Sequence, residues 1–199
     1  MTTPTAVMTK LDAVNAMLAS IGQSPINTLA GSIPKDASKA VIALDTVLRE
    51  VLTKGWSFNT DYDYLLNPDG NNNILVPAAA MWVDPEYQTN DYVIRWNGGV
   101  AMLYDREAQT FTITEPVKCR IIWSYSFEEI PQVARHYIAM RAGRIFQSQI
   151  VGSDILFQFT QLHEQEAYAA FKRLEKRSKR YSMIANDATA WRHYNPTRF

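Results

Sequence analysis

One cysteine, three histidines and no net charge remove whole classes of function from this 199-residue chain before any pattern is read. Cys119 has no partner for an internal disulfide, so folding needs no oxidising compartment. His136, His163 and His193 fall outside any H-x-x-x-H spacing and Cys119 outside any C-x-x-C pair. A zinc site is therefore not expected, and no cofactor is implied. Twenty lysines and arginines are balanced by twenty aspartates and glutamates, whereas a dedicated nucleic-acid binder needs a net basic surface to neutralise phosphates. No apolar run reaches the roughly 18–20 residues that cross a bilayer, and the N-terminal MTTPTAVMTK lacks a basic-then-apolar signal pattern. The expectation is a soluble protein, made and assembled in a cytoplasm, without a membrane partner.

The usual catalytic signatures are missing as well. Asn97-Gly98-Gly99 is followed by neither Lys-Ser/Thr nor a helix, so it is no phosphate-cradling loop, and no G-x-S-x-G occurs. A glycosidase-type carboxylate pair is set by fold rather than by spacing, so the acids of the middle region leave that chemistry open. Acids on surface turns explain them more simply. No enzyme is expected, and no catalytic residue is assigned.

What is present is a hydrophobic fraction of 47%, enough for one sizeable core or a core with a smaller satellite. Thr9 and Asp12 cap a helix over about 9–22, in which Leu11, Val14, Leu18 and Ile21 recur at helical spacing and Gly22 marks the stop. Pro25, Gly31 and Pro34 make the next stretch a loop. A second helix over about 36–54 carries Ala40, Val41, Leu44, Val47, Leu48, Val51 and Leu52 as one wide stripe, ending at Gly55.

From Trp56 the helical spacing disappears, and aromatic and β-branched residues alternate with polar ones. Asn67–Asn73 is a turn signal. Tyr92–Trp96 and Val100–Tyr104 flank Asn97-Gly98-Gly99 as a hairpin, and Phe111–Thr114 reads as a short strand. In Val117–Phe127, Val117, Cys119, Ile121, Trp123, Tyr125 and Phe127 share one face; Lys118, Arg120, Ser124 and Ser126 share the other, and Ile122 breaks the alternation. Helix returns over about 130–151, opened by Glu128, Glu129 and Pro131, and again over about 154–180. The last residues lack periodicity and read as an extended tail.

Charge is uneven although it sums to zero. Residues 56–127 hold nine acids and four bases, a net of −5; residues 128–199 hold eleven bases and seven acids, a net of +4. Such polarity suits neighbouring copies that meet unlike face to unlike face, and solvated surfaces account for it equally well. Lys172, Arg173, Lys176, Arg177, Lys179 and Arg180 form a basic run that suits a subunit contact or DNA, and also a helix C-terminus complementing its macrodipole. The middle aromatics suit sheet core, with Trp56, Phe58, Trp123 and Tyr125 the core candidates and Trp82 an interface candidate. Trp191, Arg192, His193, Tyr194, Arg198 and Phe199, crowded after the last helix, are the residue types of interface anchors, and a docking tail is expected there.

AVNAMLASIGQSPINTL at 13–29, KGWSFNTD at 54–61, YDR at 104–106 and FEEIPQVARHYIAMRAGRIFQSQIVGS at 127–153 follow one another along most of the chain. Together they resemble the tail tubular protein A family, the head-to-tail adaptors of short-tailed bacteriophages (podoviruses). That resemblance implies a virion structural protein that forms a ring, a dodecamer, between the portal protein and a tail nozzle protein resembling tail tubular protein B. Genomic DNA would pass through it without sequence-specific binding. The C-terminal extension would reach the portal. Two other readings are weighed: a carbohydrate-cleaving, depolymerase-like tail protein, from the acidic aromatic middle, and a DNA-packaging accessory, from the basic run.

The expected fold is α+β. A discontinuous four-helix-bundle-like domain (1–55 and 128–185) builds the ring. An antiparallel β-sheet insertion (56–127) interrupts it, and an extended C-terminal docking tail (186–199) follows.

Overall fold

The computed structural model describes residues 7–85, 91–150 and 154–186, with side chains from 154 onward described only for 161–178. The protein is α+β, with helices and antiparallel sheets, and its chain divides into two compact units, Met1–Val51 with Ser126–Phe199 and Leu52–Tyr125.

In the first unit, helix α1 (Lys10–Ala19) opens with a reciprocal cap. The Thr9 hydroxyl accepts from the Asp12 amide at 3.1 Å, and Asp12 accepts from the Thr9 amide at 2.9 Å. Holding that amide keeps the Asp12 carboxyl below its usual range. The helix ends in a Schellman arrangement: Gln23 donates to Leu18 O, Gly22 to Ala19 O, and Gly22 sits at φ 76°. The loop beyond is pinned by Asn15, whose amide donates to Ile26 O and accepts from Ile26 N.

Helix α2 (Lys35–Leu52) buries Ala37, Ala40, Leu44, Val47 and Val51 at helical spacing. It is bound to α1 through Lys10 and Asp45, 2.7 Å apart. Helix α3 (Gln132–Ile150) lies against both α1 and α4 (Asp154–Asn186). Ala139, Ala142 and Gly143 keep α3 slender where Met17 of α1 approaches. Tyr137 of α3 meets the rings of Tyr168 and Phe171 of α4 at 5.1 and 5.8 Å. Helix α4 runs six residues beyond the expected end at 180, because Tyr181–Asn186 contains neither glycine nor proline to stop it.

In the second unit, β1 (Thr60–Leu66), β5 (Val117–Trp123) and β2 (Ala80–Asp84) form an antiparallel sheet in the order β1-β5-β2, while β3 (Tyr92–Asn97) and β4 (Val100–Asp105) form a hairpin. Gly98 and Gly99, at φ 58° and 83°, make the two-residue turn that the Asn-Gly-Gly signal predicts. Leu66, Ile74, Val83, Leu103, Ile113, Val117, Cys119 and Ile121 make this unit's core.

Three expectations for this region need correction. Phe111–Thr114 is not a strand: Thr110 pairs with Asp105 and Ile113 N donates to Asn72 O, so the segment forms isolated bridges instead. The last strand stops at Trp123, four residues short, because the chain turns there and Ser124 N donates to Ala79 O. Phe58 and Tyr125 are half-buried rather than core, whereas Trp56 is buried and the half-buried Trp123 packs against the core.

Candidate interaction surfaces

The sequence stretches that resemble the adaptor family owe their residues largely to architecture. In 54–61, Asn59 is 1% exposed and uses every polar atom it has. Its side-chain oxygen accepts from Trp56 N at 2.8 Å, and its amide donates to Leu52 O and Trp123 O at 3.0 and 2.9 Å. Its backbone pairs with Trp56 and Trp123. A buried polar group so completely satisfied fixes one conformation of the turn and anchors it to β5.

In 104–106, the Asp105 carboxylate accepts from Glu107 N and Ala108 N at 2.8 and 2.9 Å, closing the turn after β4. Tyr104 lies between Phe111, edge-on at 4.9 Å, and the Arg95 guanidinium, 3.8 Å above its ring. Arg106 forms an ion pair with Asp91, which holds its guanidinium more firmly protonated than usual.

In 127–153, Glu129 closes the entry turn of α3 by accepting from Ser126 N at 2.7 Å, and that bond draws its carboxyl below the usual range. Arg135 donates to three carbonyls, those of Ile130, Met8 and Glu128, and so ties the start of α3 to the segment before α1. Spacing singled out none of Asn59, Asp105 or Arg135. The one signal for them was polar residues of fixed type set among aromatics or beside a turn.

The basic run falls on α4. Lys172, Arg173, Lys176 and Arg177 are exposed, and Lys179 and Arg180 belong to the same helix. Arg173, Lys176 and Arg177 line one shallow groove of about 640 Å³ with Ala170 and Leu174 of α4 and Val133 of α3. Lys172 points elsewhere, its ammonium 5.5 Å from the Tyr168 ring. The lining of the groove is half apolar and half cationic.

The second unit exposes acids and aromatics. Strand β1 is a sheet edge whose Asp61, Tyr62, Asp63, Tyr64 and Leu65 are all exposed, Tyr62 to 61%. A bulge interrupts it between Asp61 and Tyr64, with Asp63 at φ 54°. Asp61 accepts from the Trp123 indole at 2.7 Å, and Tyr64 meets the Trp123 ring edge-on at 5.3 Å. Elsewhere on the unit, Trp82 of β2 and Trp96 of β3, 54% and 75% exposed, border a groove of about 490 Å³ with Ile94 and Val100. These two tryptophans, one on each sheet of the unit, are outside its core and are of a residue type that serves as an interface anchor.

Chemistry finds little purchase. His136 and His163, remote in sequence, line one small cavity of about 130 Å³ in the helical unit, together with Met8, Met17, Met140, Arg144 and Gln147. Among the described residues no group of three or more His, Cys, Asp or Glu is placed to hold a metal. Burial pushes the Cys119 thiol up to about 11, with the charge of Asp84 adding to the effect, so it carries no thiolate at neutral pH. No helix among the described residues is long and apolar enough to cross a membrane. The tail residues Trp191, Arg192, His193, Tyr194, Arg198 and Phe199 lie outside the described residues.

Compared with known proteins, the chain matches the family model described as "Tail tubular protein" over residues 11–181. It is also similar to Tail tubular protein A of Klebsiella phage KP34. The two are 28% identical over 177 residues, which cover 88% of this chain and 91% of that protein.

Proposed function

Because the chain belongs to the tail tubular protein family and is thus a structural component of a phage tail, we propose that it is the head-to-tail adaptor of a short-tailed phage. In this reading twelve copies form a ring between portal and nozzle, and the genome passes through its centre. The helices of 1–55 and 128–185 build the ring, the insertion 56–127 projects outward or toward the nozzle, and Trp191–Phe199 dock on the portal. The observation that carries the reading is the match over residues 11–181, which embraces both the helical and the β-rich stretches rather than one shared module.

The physical chemistry is consistent with this reading. The stretches of family resemblance are held by Asn59, Asp105 and Arg135 as scaffold contacts, which suits an assembly protein. Separate basic and acidic exposed surfaces suit the heterologous contact of a closed ring. Zero formal charge suits a component through which DNA slides.

Electron microscopy of the full-length protein, alone and mixed with the portal protein, tests the reading. Rings on the portal are expected, and a protein that joins no ring in either sample overturns it. Deleting Asn186–Phe199 is expected to weaken portal attachment. Undiminished attachment by the truncated chain removes the tail's role.

A further inference from the structure

We infer that the groove on α4 of one copy receives the edge strand β1 of the next copy, and that this contact joins neighbours around the ring; the inference rests on the ring reading above. The two surfaces match in three respects. Arg173, Lys176 and Arg177 line the groove without an ion pair among the described residues, while β1 exposes Asp61 and Asp63. The apolar part of the lining is Val133, Ala170 and Leu174, and β1 offers Tyr62, Tyr64 and Leu65. Both sets of charges are also local: Arg173 and Arg177 lie one helical turn apart, about 6 Å along α4, and Asp61 and Asp63 stand two residues apart in β1.

What β1 cannot accept narrows the partner further. An open sheet edge ordinarily invites another strand, but the bulge at Asp61–Tyr64, the left-handed backbone of Asp63 and two exposed acids obstruct a continuous ladder. A cationic helix groove needs no such ladder. It takes the strand through side chains: ion pairs, which fix register and exclude like-charged partners, together with tyrosine and leucine. Because the two surfaces are different patches of one chain, the contact is heterologous, as a closed ring demands. The net charges of −5 over 56–127 and +4 over 128–199 give the encounter the same sign of steering.

Charge exchange tests the contact. One variant carries Arg173→Glu and Arg177→Glu. A second carries Asp61→Asn, Tyr62→Lys and Asp63→Asn, which keeps an acceptor for the Trp123 indole and a residue tolerant of the Asp63 backbone while making the strand basic. Sedimentation and electron microscopy of the full-length chains, with and without portal, read ring formation. Each variant alone is expected to weaken self-association at least about tenfold, and one chain carrying both sets is expected to return to within about threefold of the natural sequence. A merely misfolded variant is not rescued in this way.

Rings that form normally with either variant alone overturn this contact and leave the ring reading standing. If the natural chain forms no ring, alone or on the portal, the ring reading falls and the contact with it. If the glutamate variant assembles normally but loses salt-sensitive retention on duplex DNA, the groove belongs to nucleic acid and the contact is overturned.

Discussion

Asn59 and Cys119 show how differently two buried side chains of one unit respond to change. Removing the Asn59 amide takes the acceptor from the Trp56 N–H and a donor from each of the Leu52 and Trp123 carbonyls, of which Leu52 O keeps the Gly55 amide. Asn59→Ala is therefore expected to cost about 3 kcal/mol, read as a lowered urea midpoint and melting temperature. A variant as stable as the natural chain would contradict the assigned role. Cys119 matters through its proton. Its thiol titrates at about 11 when folded against an ordinary 9.0. Between those values the unfolded chain loses the proton first, so it binds fewer protons than the native state and stability falls as pH rises. The gap corresponds to about 3 kcal/mol, fully present below pH ~9 and gone above pH ~11. The stability difference between the natural chain and Cys119→Ala should shrink over that window. At neutral pH a thiol reagent should leave Cys119 unmodified until the protein unfolds.

Elements are governed here by a few positions where backbone geometry leaves little choice. Gly55 and Gly31 both have positive φ, but an added Cβ at Gly55 would lie 2.8 Å from the Ile122 side chain, whereas at Gly31 it meets open space. Gly31→Ala should cost about 1 kcal/mol, the backbone penalty alone. Gly55→Ala should cost more, by about a further 1–3 kcal/mol of overpacking. Paired thermal melts compare them, and equal losses would mean that Ile122 gives way freely. The same contact explains why Ile122 breaks the polar-apolar alternation of β5: the sheet is covered there on its second face as well. Alternation along the strand cannot announce a cover supplied by Gly55, sixty-odd residues earlier. Where a signal is local it was legible: the Thr9–Asp12 cap, the Gly22 stop, the Gly98-Gly99 turn and the apolar stripe of α2 all act within a turn or two of chain. Strands β1 and β2 were not legible. TDYDYLL is almost wholly exposed and AMWVD borders a groove, so neither carries the half-buried period on which strand reading depends. Of the candidate surfaces, the basic run of α4 was visible as a charge cluster, while its groove needed Val133 from another helix and so appeared only in three dimensions.

At the scale of the whole molecule, a balanced net charge conceals two surfaces of opposite character, and ionic strength separates them. If neighbouring copies meet through the α4 groove and β1, their association combines a few ion pairs with a small apolar contact. The charge interactions act over about 8 Å at 0.15 M salt and about 3 Å at 1 M. Exposed pairs contribute about 0.2–1 kcal/mol each, so losing two or three of them weakens association by roughly 2- to 150-fold, and the apolar contacts between Leu174, Tyr62 and Leu65 remain. Self-association measured by sedimentation should therefore weaken as sodium chloride rises from about 0.05 to 1 M, then level off rather than vanish. The chain bearing Arg173→Glu and Arg177→Glu should show the opposite slope, because screening relieves a repulsion between like charges. A natural chain whose association is indifferent to salt would mean that apolar contacts alone hold neighbours together. The exposed Trp82 and Trp96 would then be the residues to change next, since they border an open groove of the β unit.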